Sequence, residues 1–216
     1  MLLLSIAVLL LIASHVVPSQ TAIRRGLMES VGRRVFYAGY SLVSLAALAM
    51  VIAAYRTAEP GIRLWYPAFE GRYVALMVMP VAVLLLTCRL TRSPSRMTGI
   101  YRITTVPGSL GVLLWSVVHL LNVGEARTIL VFLGMAAIAV ASLLRNAAQA
   151  RPPGVVGAVP FARILAGNER LSLAEIGLWR LLLALGITTL LLVLHPIVIG
   201  ADPLAGIPGI RIPGIP

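Results

Sequence analysis

The 216-residue sequence holds one cysteine, no lysine and only seven acidic residues, and each scarcity excludes something. Cys88 alone cannot close an intramolecular disulfide, and without a CxxC or CxxCH motif no thiolate zinc site or covalent c-type haem is encoded. All seven acids fall outside the apolar runs, which removes the buried carboxylate relay that proton pumps use. Charged residues make up 12% of the chain, about half the ~25% of an ordinary soluble domain. Too little polar surface is left to cover a separate soluble catalytic domain. No Ser-His-Asp set, HExxH, Gly-rich phosphate loop or CaaX end occurs. No repeat at solenoid or inverted-transporter spacing is visible either, which weakens a transport reading.

What is abundant is apolar sequence, 59% of residues, with a mean hydropathy of +0.97. Six runs approach the ~20 residues of a spanning helix: 2–17, 35–55, 73–88, 103–121, 126–144 and 176–199. The expected fold is an all-α polytopic membrane helix bundle of about six transmembrane helices, with a kink at Pro80 in the third. The first run lacks a positive n-region and an A-x-A cleavage site, so it reads as a retained helix and not a signal peptide.

All eighteen basic residues are arginines, and a formal charge of +11 would suggest nucleic acid in a soluble protein. Here they crowd alternate gaps, which signals orientation and not nucleic-acid binding. Arg24, Arg25, Arg33 and Arg34 lie in the first gap, Arg89, Arg92, Arg96 and Arg102 around the third, and Arg145, Arg151, Arg163 and Arg170 in the fifth. Those gaps are expected to be cytoplasmic, with both termini outside. In the fifth gap, RPPG at 151–154 reads as a turn and PFARIL at 160–165 as a membrane-surface segment. Residues 1–200 form a single transmembrane domain, and 201–216 a Gly/Pro/Ile-rich tail that cannot be helical.

An ionisable side chain within a membrane helix is a functional candidate by default. His119 continues a stripe of Gly108, Gly111 and Trp115 that ends at Asn122, at helical spacing. Such a stripe makes room for a flat ligand under the imidazole, or equally for a close helix contact through the glycines. His195 ends a second stripe of Arg180, Ala184, Thr188 and Leu191, beside Pro196. His15 sits beside Ser14 near the end of the first run. Both positions also suit a solvated histidine at a helix end, and Arg180 is placed to snorkel. Cys88, at the same edge beside Arg89, is given no role.

The run VPGSLGVLLWSVVHLLNVGEARTILVF, from Val106 to Phe132, resembles the central signature of the NnrU family, a proline-led G-x-x-L-W-x-x-x-H-L-L helix followed by a polar turn and another helix. SHVVPS with the following IRRGLMESVGRRVFYAGYSLVSL, and HPIVIGADP at the last helix, extend the resemblance over nearly the whole chain. The family is named for a role near nitrite and nitric oxide reduction in denitrifying bacteria. It is similar to plant zeta-carotene isomerase, a membrane enzyme that uses haem b. The resemblance implies a protein of the bacterial cytoplasmic (inner) membrane with haem b as cofactor. It also implies axial iron ligands at His15 and His119, and partners among nitrogen-oxide respiratory components. Two positions depart from the pattern: Val106 stands where family members usually have His, and Ser116 where the isomerase has a cysteine proposed for ligand switching.

Depth arithmetic gives a different pairing. At a rise of about 1.5 Å per residue, His15 lies roughly 20 Å from the outer edge, while His119 lies about 24 Å from the inner edge and His195 at about the same height. The resemblance pairs His119 with His15, and the depths pair it with His195. Arg24, Arg25 or Arg180 could then meet the haem propionates. Two other readings stand beside a haem-binding redox or accessory protein of denitrification: a cis-trans isomerase of a polyene, and a transporter or cofactor-free accessory subunit.

Overall fold

The structure, a computed structural model, describes residues 1–91, 98–149, 157–170, 172–205 and 207. Among these the chain forms helices only: α1 (Leu2–Val16), α2 (Thr21–Val31), α3 (Arg33–Thr57), α4 (Gly71–Thr91), α5 (Ile100–Ile103), α6 (Pro107–Asn122), α7 (Ala126–Gln149), α8 (Ala162–Leu165) and α9 (Leu178–Val198). An isolated bridge between Arg63 and Glu125 is the one strand-like pairing among the described residues. The all-helical class expected from the apolar runs is observed. Arg92, Arg96 and Arg151, the 151–154 turn, and Arg211 with most of the tail lie outside the described residues.

Helices α3, α4, α7 and α9 are long and apolar enough to cross a membrane, and α1 with α2 passes the same test only as a pair bent by 77°. This gives four to five candidate spans. All six expected runs are helical, but two are not full straight spans. Pro18 stops α1, because a proline ring cannot continue a helix whose carbonyls need N–H donors. Gly32, at φ +80°, then lets α2 turn straight into α3 without a loop. The run expected from residue 103 starts later. The backbone at Thr104 is extended, and its hydroxyl donates to the Ala158 carbonyl at 2.8 Å and accepts from the Val106 N–H at 3.3 Å. Pro107, a favourable first helical residue, opens α6 and disfavours helix at the residue before it. The resulting 16-residue α6 rises about 24 Å, short of a ~30 Å hydrocarbon core. Helix α4 runs unbroken through Pro80.

The chain divides into two compact units, with the division falling inside α6 and α7. In the unit of Met1–Pro67 and His119–Ser142, α1 packs on α3 around Leu4, Ala7, Val8, Leu11, Ala47 and Val51. Ile138 of α7 joins this core, and an ideal Cβ on Gly134 would stand 2.5 Å from Val8 Cγ1, so only glycine lets α7 approach α1 so closely. In the unit of Ala68–Val118 and Leu143–Pro216, α4 packs on α9 and α5 on α8. A Cβ on Gly111 would meet the Ala82 carbonyl at 2.9 Å, which brings the α6 backbone against α4. Small residues at such contacts are how helices associate in lipid, where burial of apolar surface supplies no drive.

The second unit also carries an ionic clasp. Arg102 donates to both oxygens of Glu175, at 2.9 and 3.0 Å, and to Glu169 at 2.7 Å, while Arg163 donates to the other Glu169 oxygen at 2.8 Å. Glu175, and then Glu169, hold the Arg102 pKa above its already high ordinary value. Of the surface segment expected at 160–165, only α8 is helical, and Leu165 is exposed on it.

Candidate functional site

His15 stands at the end of α1, half-buried. Its Nδ1 lies 2.9 Å from the Leu11 carbonyl and 3.2 Å from the Ser14 hydroxyl; toward the carbonyl, which can only accept, Nδ1 is the donor. This is the arrangement that ligating histidines adopt, one nitrogen fixed by a backbone carbonyl and the other turned to the metal. Ser14 donates to the same carbonyl at 2.8 Å. The ring meets Tyr40 edge-on at 6.0 Å, and Tyr40 stacks on Phe36 at 6.2 Å, so α3 supplies an aromatic wall. Sequence reasoning missed this wall, although the FYAGY string at 36–40 has the i, i+4 spacing that places Phe36 and Tyr40 on one face.

His119, three residues before the end of α6, is half-buried and stacked on Phe132 of α7 at 4.5 Å. The turn below it is tightly fixed. Leu64 donates to the Gly124 carbonyl at 2.8 Å, and a Cβ on Gly124 would overlap the Trp65 carbonyl at 1.8 Å. Arg127 donates to the Ala58 carbonyl at 3.0 Å and lies over the Tyr55 ring, whose hydroxyl is 3.1 Å from the Thr128 hydroxyl.

His15 and His119 belong to the same unit but stand at different levels. A Cβ built on Gly61 would lie 3.9 Å from Met1 Sδ and 3.1 Å from Ala126 Cβ, and one on Gly134 would meet Val8, so α1 and α7 run in the same direction with Met1 near Ala126 and Val8 near Gly134. His15 is therefore level with about Ala141, nine residues past Phe132, and at the helical rise it lies about 13 Å along the axis from His119. Two imidazoles across one iron need ligating nitrogens roughly 4 Å apart, at ~2 Å per metal–imidazole bond. The residues fit haem ligation one imidazole at a time; the structure does not bring the pair to one level.

His195 belongs to the second unit, near the end of α9, with Nδ1 2.6 Å from the Ala201 carbonyl. Arg180 is committed to helix ends: it donates to the Thr91 hydroxyl at 2.9 Å, the Thr91 carbonyl at 3.2 Å and the Ile176 carbonyl at 2.9 Å, and covers the Trp179 ring. Thr91 at the end of α4 and the Ile176 carbonyl before α9 thus occupy the guanidinium that could have met a propionate. Arg24 donates to the Tyr37 hydroxyl. Ser116 is fully buried and donates to the Val112 carbonyl at 2.8 Å. Among the described residues there is no group of three or more His, Cys, Asp or Glu able to hold a metal ion.

No curated protein and no solved structure matches the chain. The family model described as NnrU protein matches residues 2–203, which include His15, His119 and His195 with the helices that carry them. The chain belongs to the NnrU family.

Proposed function

We propose that the protein spans the bacterial cytoplasmic (inner) membrane six times with both termini outside, holds haem b, and serves as a redox or accessory component of nitrite and nitric oxide metabolism. The observation that carries this reading is the His15 imidazole, whose Nδ1 is held 2.9 Å from the Leu11 carbonyl, the way ligating histidines are oriented. His119 and His15, on different levels of one unit, would each offer the iron a single imidazole, and His195 is the separate candidate of the other unit. Haem, when bound, supplies one-electron chemistry or ligand binding at its iron. The chain's own share is to present imidazoles, orient His15 and His195 through backbone carbonyls, and flank His15 and His119 with an aromatic wall of Tyr40, Phe36 and Phe132.

Optical spectra of single variants separate the pairings. If His15 holds iron, His15→Ala changes the spectrum and His195→Ala leaves it unchanged; if His195 holds it, the two results exchange. Spectra unaltered in both variants would remove both histidines as ligands. The isomerase reading gains no support from position 116, where Ser116 offers a hydroxyl tied to its own helix in place of a thiol.

A further inference from the structure

We propose that α2 and the first turn of α3 form a docking site for the phosphate of an anionic phospholipid. Arg24 and Arg33 are gathered at Tyr37 to receive it.

The geometry begins with the 77° bend, which carries α2 away from the α1 axis. A helix at that angle to a span runs closer to the membrane plane than to its normal. Ile23, Leu27 and Val31 recur at i, i+4 and i+8, so they lie on one face, and all three are exposed. No residue of α2 is buried. An amphipathic helix with an uncovered apolar stripe and arginines beside it matches a segment lying in the headgroup boundary.

Charge then specifies the occupant. Between residues 21 and 34 there are four arginines and one acid, Glu29. The guanidinium of Arg24 lies 5.6 Å from the Tyr37 ring centroid and that of Arg33 5.8 Å, and Arg24 also donates to the Tyr37 hydroxyl. Two like charges are thus held on one ring. Among the described residues, neither arginine makes an ion pair with a carboxylate. An anion at this ring relieves the repulsion of the two unpaired charges, and the planar guanidinium fork suits phosphate oxygens. The apolar stripe beside the pair favours a phosphate attached to acyl chains over a free ion, and a phosphate over the carboxylates of a haem.

The test uses the full chain purified in detergent and titrated with dioleoyl phosphatidylglycerol or dioleoyl phosphatidylcholine, with bound lipid counted by native mass spectrometry. Two arginines at a membrane surface correspond to about thirtyfold tighter binding of the anionic lipid, falling to about threefold or less in Arg24→Gln/Arg33→Gln. Arg56→Gln, at the far end of α3, should keep the wild-type preference. Arg24→Lys/Arg33→Lys keeps the charge but loses the fork, and should fall between. Equal binding of the two lipids by the wild-type protein overturns the proposal, and needs no variant to fold. Displacement of the lipid by millimolar inorganic phosphate would mean a free-anion site, and loss of the lipid preference on loading with haem would assign the arginines to propionates; either result also overturns it.

Discussion

Gly134→Ala tests the contact that sets α7, and with it Phe132 and His119, against α1. The added Cβ would lie 2.5 Å from Val8 Cγ1, in a core where Val8 is 3% exposed. Carbon atoms pack at about 3.5–4.0 Å, so a gap of at least about 1 Å must open. Val8 is β-branched and stiff at χ1, and cannot swing its methyl away as a long side chain would. The helices have to part, and overpacking of this kind costs about 1–3 kcal/mol. The expected destabilisation is about 2 kcal/mol, read as a shift in the unfolding midpoint in mixed dodecyl maltoside and sodium dodecyl sulfate micelles, followed by circular dichroism. Val8→Ala removes the colliding methyl. The double variant should therefore be no less stable than Val8→Ala alone, giving a coupling of about 1–2 kcal/mol between the two positions. A Gly134→Ala midpoint within about 0.5 kcal/mol of wild type, or simple additivity in the double variant, would refute the close approach of α7 to α1.

Gly124→Ala would overlap the Trp65 carbonyl, a backbone atom that no rotamer change can move. Its loss of stability should exceed that of Gly134→Ala in the same titration. Burial pushes the Tyr101 phenol pKa up, against the opposing pull of Arg89. Above its unfolded value near 10, the unfolded chain loses this proton before the folded one does. Stability should then fall with rising pH by up to ~1.4 kcal/mol per unit until the folded pKa is reached, and Tyr101→Phe should flatten that slope; an unchanged slope would assign the alkaline loss to other groups. Glu169→Gln detaches both Arg102 and Arg163 from one carboxylate. Limited proteolysis should cut the 157–177 segment faster in that variant, and equal rates would show the clasp to be dispensable.

Much of the fold was legible because lipid imposes a strong constraint on composition. The runs at 35–55, 73–88, 126–144 and 176–199 appear as α3, α4, α7 and α9 with ends shifted by a few residues. The first and fourth runs were less legible, since hydropathy does not register a break. Pro18 and Gly32 redirect the chain through α2, and Pro107, with Thr104 tied to Ala158, postpones α6. That delay shortens the distance from the start of α6 to His119 from the 24 Å expected at the sequence level to about 18 Å over twelve residues. Spacing singled out the three histidines as candidates. It could not supply what touches them, because Tyr40 on α3 and Phe132 on α7 reach His15 and His119 through tertiary packing. Nor could it show Arg180 tied to the end of α4, a contact between residues 89 positions apart.

The most direct measurement is the haem content and absorption spectrum of the full chain, expressed with ample haem supply and purified in detergent, beside His119→Ala. The account predicts haem b bound to the wild-type protein, with a Soret band of low-spin iron that His119→Ala abolishes. A folded wild-type protein without a Soret band, or a His119→Ala spectrum identical to wild type, would contradict it.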